Sequence, residues 1–168
     1  MPQTDLSKEL LRRFGKLKAQ RQNWESHWQE VADYMIPRKA DITKTRSTGD
    51  KRTERIFDSS PLHAVELLAA SLHGMLTNPS VPWFYLAFKN VSPSNKDAAD
   101  TWLQDTTERM YEVFNRSNFQ QEIFELYHDL ITFGTAAMYI EEDADDLIRF
   151  STRHIGEDRK STRLNSSH

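Results

Sequence analysis

Glu125 and His128 lie three residues apart in a stretch of helical periodicity, which puts both side chains on one face. That spacing is half of a di-iron carboxylate site, a chemistry that would make the chain a small metalloenzyme. Such a site also needs a second Glu-x-x-His helix and two further glutamates. His63 and Glu66 have the reverse order, and the set is incomplete. The run 141–146 holds five carboxylates in six residues and could take a divalent cation. It lacks the glycine and the twelve-residue ligand order of an EF-hand loop, and acids at a hairpin tip are mostly solvated. His27, His73 and His154 have no partner at metal-ligand spacing. There is no phosphate-binding glycine loop, GxGxxG, GxSxG or HExxH, and the chain has only five glycines. No catalytic residue, cofactor or metal is expected.

The remaining chemistry is electrostatic. Residues 38–55, RKADITKTRSTGDKRTER, carry seven basic and three acidic side chains with few apolar anchors. A loop of that length inside a compact domain is usually functional or disordered. Arg38, Lys39, Lys44, Arg46, Lys51, Arg52 and Arg55 are therefore the candidate contact residues, for DNA phosphates or for an acidic neighbouring subunit. No aromatic residue interleaves with them, so base stacking on this loop is not expected. The charge is uneven along the chain. Residues 1–55 have 13 Lys/Arg against 8 Asp/Glu, net +5, and residues 56–157 have 6 against 16, net −10. This polarity suits a molecule that meets different partners on different faces, although two solvated surfaces would look the same.

These residues must be positioned by a predominantly helical α+β fold. A first helix is expected from Leu6 to Met35, capped by Thr4 or Asp5 and closed by Pro37. Its apolar stripe runs Leu6, Leu10, Phe14, Leu17, Trp24, Trp28, Val31 and Met35, interrupted by Arg21. Trp24 and Trp28 are expected as core anchors. A second helix, with Ser60 as cap and Pro61 first, reaches Leu76; its broad apolar arc predicts burial on more than one side, with Leu68 and Leu72 in the core. Trp83, Phe84, Tyr85, Leu86 and Phe88 read as a short aromatic strand. A third helix, capped by Ser94 or Asn95, breaks at residues 115–117. A fourth begins at an Asn118 cap with Gln121 completing a capping box, and ends at Gly134. Strands over 136–140 and 147–155, joined by the acidic turn, complete about four helices, one aromatic strand and a C-terminal β-hairpin.

The 168 residues suffice for one ordinary domain, and 38% apolar content supports a core. Cysteine is absent, which removes disulfides and thiolate metal sites. No apolar run reaches membrane-spanning length, and MPQTDLSKELLRR lacks the apolar middle of a signal peptide, so no membrane association is expected. The last eleven residues, DRKSTRLNSSH, continue no periodicity and resemble the translation of a sequencing adapter. They are read as an artefact, with residues 1–157 as the front part of a longer protein.

Three stretches in order carry a resemblance: the Arg/Trp/Trp helix ending in Tyr34-Met35-Ile36-Pro37, the Phe57-Asp58-Ser59 helix entry, and Thr77-Asn78-Pro79 ahead of Trp83-Phe84. From about Leu6 to Glu157 the chain resembles the N-terminal region of the portal, or head-to-tail connecting, proteins of short-tailed, podovirus-type bacteriophages. The resemblance implies the outer, wing-like part of a subunit in a closed ring, typically of twelve, at one capsid vertex. Double-stranded DNA would enter through that ring, driven by a separate terminase, and leave toward the tail. Terminase, capsid, scaffolding and tail proteins would be the partners, the virion the location, and the host cytoplasm the place of assembly. No active-site residues carry over. The alternative reading from the residues is a small helical nucleic-acid-binding module using the basic N-terminal third, though no DNA-reading motif is visible.

Overall fold

The computed structural model describes residues 3–44, 46–88 and 96–156. Helix α1 spans Gln3–Met35 and is followed by a 3₁₀ turn, Pro37–Lys39. Helices α2 (Ser60–Leu76), α3 (Lys96–Arg116) and α4 (Phe119–Phe133) come next, then an antiparallel hairpin of β1 (Ala137–Asp143) and β2 (Leu147–Arg153). The fold is therefore predominantly helical α+β. The chain divides into two compact units, one built on the residues up to Leu62 and one spanning His63–Ile155.

In the first unit, α1 is rich in Leu, Arg, Lys, Gln and Glu, all good helix formers. Pro37 ends it by driving Ile36 out of helical geometry, to φ −136° and ψ 71°. Thr4 and Asp5, expected just ahead of the helix, already lie inside its span. The buried face is not the expected stripe. Glu25, Gln29, Ala32, Asp33 and Ile36 are buried, whereas Trp24 is 57% exposed, and Leu6, Leu10, Phe14 and Leu17 are exposed too. Trp24 stacks on Trp28 at 6.3 Å between centroids, and Arg21 lies 5.4 Å over the Trp28 ring. Those contacts run along one helix. The segment that folds back onto α1 needs acceptors for its backbone N–H groups, so the polar face is the one it covers.

The core of the second unit is aromatic. Phe114, Phe119 and Phe150 form one cluster, with Phe119 4.8 Å from Phe114 and 5.1 Å from Phe150. The Trp83 ring stacks on Phe119 at 5.8 Å, nearly parallel, and meets Tyr111 edge-on. Residues 83–88 do not form the expected strand. Their backbone instead lies on α3: the Tyr111 hydroxyl accepts the N–H of Trp83 and of Phe84, both at 2.7 Å, and donates to the Phe84 carbonyl. Thr107 Oγ1 accepts the Leu86 N–H at 3.2 Å. Among the described residues no strand edge is offered to this segment, so side-chain hydroxyls satisfy what a ladder would have satisfied.

Helix α2 joins α4 through polar tips. His73 Nε2 and Gln120 Oε1 are 2.8 Å apart, and the Thr77 and Tyr127 hydroxyls 3.2 Å. Only Val65 and Ala69 of α2 are buried; Leu68 is 49% exposed and Leu72 half-buried, contrary to the expected all-round burial. Ser60 already lies in the helix and donates through its N–H and hydroxyl to Asp58, so it is not the cap. The Ser94 or Asn95 cap of α3 lies outside the described residues.

Asn118 precedes α4 but does not cap it. Its amide accepts the Phe150 N–H at 2.9 Å and donates to the Phe150 carbonyl at 2.8 Å, as a neighbouring strand would. Glu122 continues this edge by accepting the Thr152 N–H at 2.6 Å. The outer edge of β2 is thus paired to a helix start instead of a third strand. Gly134 closes α4 as expected, with φ 72° and its N–H on the Leu130 carbonyl. In the hairpin, Ile140 faces Phe150, and Asp143 Oδ1 accepts the N–H groups of Asp145 and Asp146. Strand β1 extends through Glu141 and Glu142, so the acidic run is half strand and half turn.

Candidate contact surface of the basic segment

Residues 40–44 return along the last turns of α1, and two side chains spaced one turn apart, Gln29 and Asp33, receive them, with Arg46 and Arg55 reaching Asp33 as well. Gln29 Oε1 accepts the N–H groups of Ile42, Thr43 and Lys44 at 3.0, 2.8 and 3.3 Å. Three consecutive amides converging on one oxygen form a concave anion-type nest, here filled from within the chain. Gln29 Nε2 donates to Asp33 Oδ1 at 2.9 Å and to the Ala40 carbonyl. The amide is only 4% exposed, and its hydrogen-bonding capacity is spent on the fold.

Asp33, 2% exposed, is the charged hub. Lys44 Nζ reaches Asp33 Oδ2 at 2.7 Å, an Arg46 guanidinium nitrogen reaches Oδ1 at 3.1 Å, and Arg55 approaches at 3.5 Å. Burial by itself raises the Asp33 pKa. Hydrogen bonds from Lys44 and Gln29, with the charges of Lys44 and Arg55, outweigh it and hold the carboxyl below its ordinary value. Asp41 is a second, more open hub, 3.4 Å from Arg46 and 2.8 Å from Arg52, while Arg52 also donates to the Arg38 carbonyl. Asp33, Lys44, Arg46, Arg52 and Arg55, with Asp50, Lys51 and Glu54, line a cleft of about 280 Å³.

Five of the seven candidate cations, Lys44, Arg46, Lys51, Arg52 and Arg55, are thus brought together, whereas Arg38 and Lys39 do not line the cleft. Among the described residues, Lys51 makes no ion pair through its side chain and is exposed. The sequence reading missed Gln29, Asp33 and Asp41, the groups that organise the cations. One signal was available: Gln29 and Asp33 are four apart and share a face with the apolar Ala32 and Ile36, a mixture that marks a polar pair on a face able to be covered.

The other chemical candidates are placed differently. His128 Nε2 lies 3.2 Å from Glu66 Oε2, a pair between α2 and α4, and the His128 ring meets Phe124 edge-on. His63 and Glu125 add no ligands to it: among the described residues no three His, Asp or Glu side chains are grouped to hold a metal ion. The acidic run serves its own turn, and Arg116 donates to the Asp145 carbonyl at 2.6 Å. No helix of the described residues is long and apolar enough to cross a membrane.

The profile of bacteriophage head to tail connecting proteins matches residues 7–159. The chain belongs to this family. It is 33% identical over 151 residues to a probable portal protein of Bordetella phage BPP-1 and 35% identical over 148 residues to a portal protein of Salmonella phage epsilon15. These alignments cover 89% and 88% of this chain but 27% of each relative, so the chain spans about a quarter of the relatives' length. The portal-type resemblance first seen in the three sequence stretches is therefore shown across nearly the whole chain.

Proposed function

We propose that this chain is the wing-like part, residues 1–157, of a portal subunit: a structural virion protein in a closed ring, dodecameric by expectation, at one vertex of a phage capsid. Double-stranded DNA passes through that ring on packaging and on ejection, with terminase, capsid, scaffolding and tail proteins as partners and assembly in the host cytoplasm. The subunit acts through contacts and carries out no catalysis. Residues 158–168, all but the first two of which lie past the family match, are taken as foreign to it. The observation that carries this reading is the family match over residues 7–159, together with two relatives named as portal proteins.

The basic segment supplies contact surface, to a neighbouring subunit or to DNA. Lys44, Arg46, Arg52 and Arg55 are already held by Asp33 and Asp41, which argues against a free-standing nucleic-acid module built on them. Reversing Arg46 or Arg52 would break those hubs, so the informative reversal is Lys51→Glu. Electron microscopy of the full-length protein tests the reading: closed rings are expected, and fewer or less salt-resistant rings with Lys51→Glu. Discrete monomers at every concentration would overturn it.

A further inference from the structure

Helix α2 turns a face to solvent that has no reason to be there. Ala64, Leu67, Leu68, Ser71, Gly74 and Met75 recur at intervals of three and four, and all are exposed. Leu67 is 61% and Met75 81% accessible. None of the six is charged. The one hydroxyl, on Ser71, donates at 2.8 Å to the Leu67 carbonyl of its own helix and needs no water. Exposed faces of soluble helices normally carry Lys, Glu or Arg; a helix apolar on all sides is one packed on all sides. The mixture of large Leu and Met with small Ala, Ser and Gly at this spacing suits a second helix, whose side chains would seat over the small positions.

We propose that in the full-length protein this face of α2 is covered by an apolar helix face of the same polypeptide, from the part lying outside this chain. The relatives are nearly four times the length matched here, so most of such a subunit is available to supply it. A second copy is the weaker occupant for a physical reason. A neighbouring subunit arrives only by bimolecular encounter, and until then an uncharged apolar seam would stay open to water and to aggregation. A segment of the same chain is present at high effective concentration from the moment of synthesis. The inference rests on the relatives' length and not on the passage of DNA, so it can fail while the ring stands.

The chain itself contains no cysteine, so a cysteine introduced into it labels a peptide that has no other thiol from residues 1–168. Leu68→Cys and Met75→Cys, each in the full-length protein held as monomer by dilution, would be treated with a maleimide. Labelling would be read by peptide mass spectrometry against Thr48→Cys, an exposed reference position. At least tenfold slower labelling than the reference is expected. In the unsubstituted protein, peroxide oxidation of Met75 would be slowed similarly relative to the denatured chain, a readout independent of whether the cysteine variants fold. Labelling of the monomer as fast as the reference, with Met75 oxidised as fast as in the denatured chain, would overturn the proposal, as would equal protection in residues 1–168 by themselves. Protection that appears only on assembly would equally overturn it and assign the face to a second copy.

Discussion

The two units of this chain are held by opposite physics. The first closes a basic segment onto α1 with a buried carboxylate, a buried amide and three cations around Asp33. The second closes helices and a hairpin around Phe114, Phe119 and Phe150, with Trp83 laid on top. An aromatic cluster is stabilised in proportion to the area it removes from water and tolerates some displacement. A buried carboxylate depends on its partners, because losing them leaves it desolvated without compensation. The first unit is consequently the one whose integrity follows pH and charge.

Two truncations should give the largest effects, of similar size but different character. Phe119→Ala should cost about 3–5 kcal/mol, the range for removing a packed aromatic ring. Asp33→Ala should cost about 3 kcal/mol, because Gln29 and Arg46 lose a buried anionic acceptor, whereas the half-exposed Lys44 and Arg55 regain water. Denaturant melts give the sizes, and hydrogen exchange separates the sites. Asp33→Ala should expose the amides of Ile42, Thr43 and Lys44 while those of α4 stay protected; the same exchange pattern in both variants would erase the distinction between units.

Acid should distinguish them next. The Asp33 carboxyl is held below its ordinary value, so its contribution is fully present above the unfolded value of about 4 and is lost as pH falls through the lower folded value. Asp143 is also lowered, by the N–H groups of Asp146 and Asp145, but those bonds only close its own hairpin turn. Below about pH 4, residues 40–55 should loosen before the near-ultraviolet dichroism of the aromatic cluster changes. Coincident loss of both signals would show the first unit to be no more acid-sensitive than the second.

A smaller effect tests whether the aromatic unit also relies on polar contacts. Tyr111→Phe keeps the ring against Trp83 and Phe84 but removes the hydroxyl that serves three backbone groups. It should cost about 1–3 kcal/mol, and the Trp83 fluorescence should shift to the red. A neutral result would mean that ring packing alone docks residues 83–86. Deleting residues 158–168 should have the smallest effect, with helical dichroism and melting unchanged. A clear loss of stability there would return those residues to the native fold.

What could be read along the chain was local. Helix spans near 6–35, 60–76 and 119–133 follow from a 3.6-residue period, from Pro37 as a stop and from Gly134, which adopts the left-handed φ of 72° that other residues resist. The hairpin followed from alternation on either side of an acidic turn, and the seven cations were legible because charge is visible in composition. Which surfaces those elements bury was decided by partners distant in sequence. Ile42, Thr43 and Lys44 needed an acceptor, so the polar Gln29–Asp33 face of α1 is covered and the Trp24 stripe is not. Residues 83–86 found Tyr111 and Thr107 instead of a strand edge, and Asn118 turned from helix cap to strand partner because Phe150 lay within reach. Periodicity states which side chains share a face. Only the requirement that every buried N–H, carbonyl and charge be met, a condition on the whole fold, states which face goes inside.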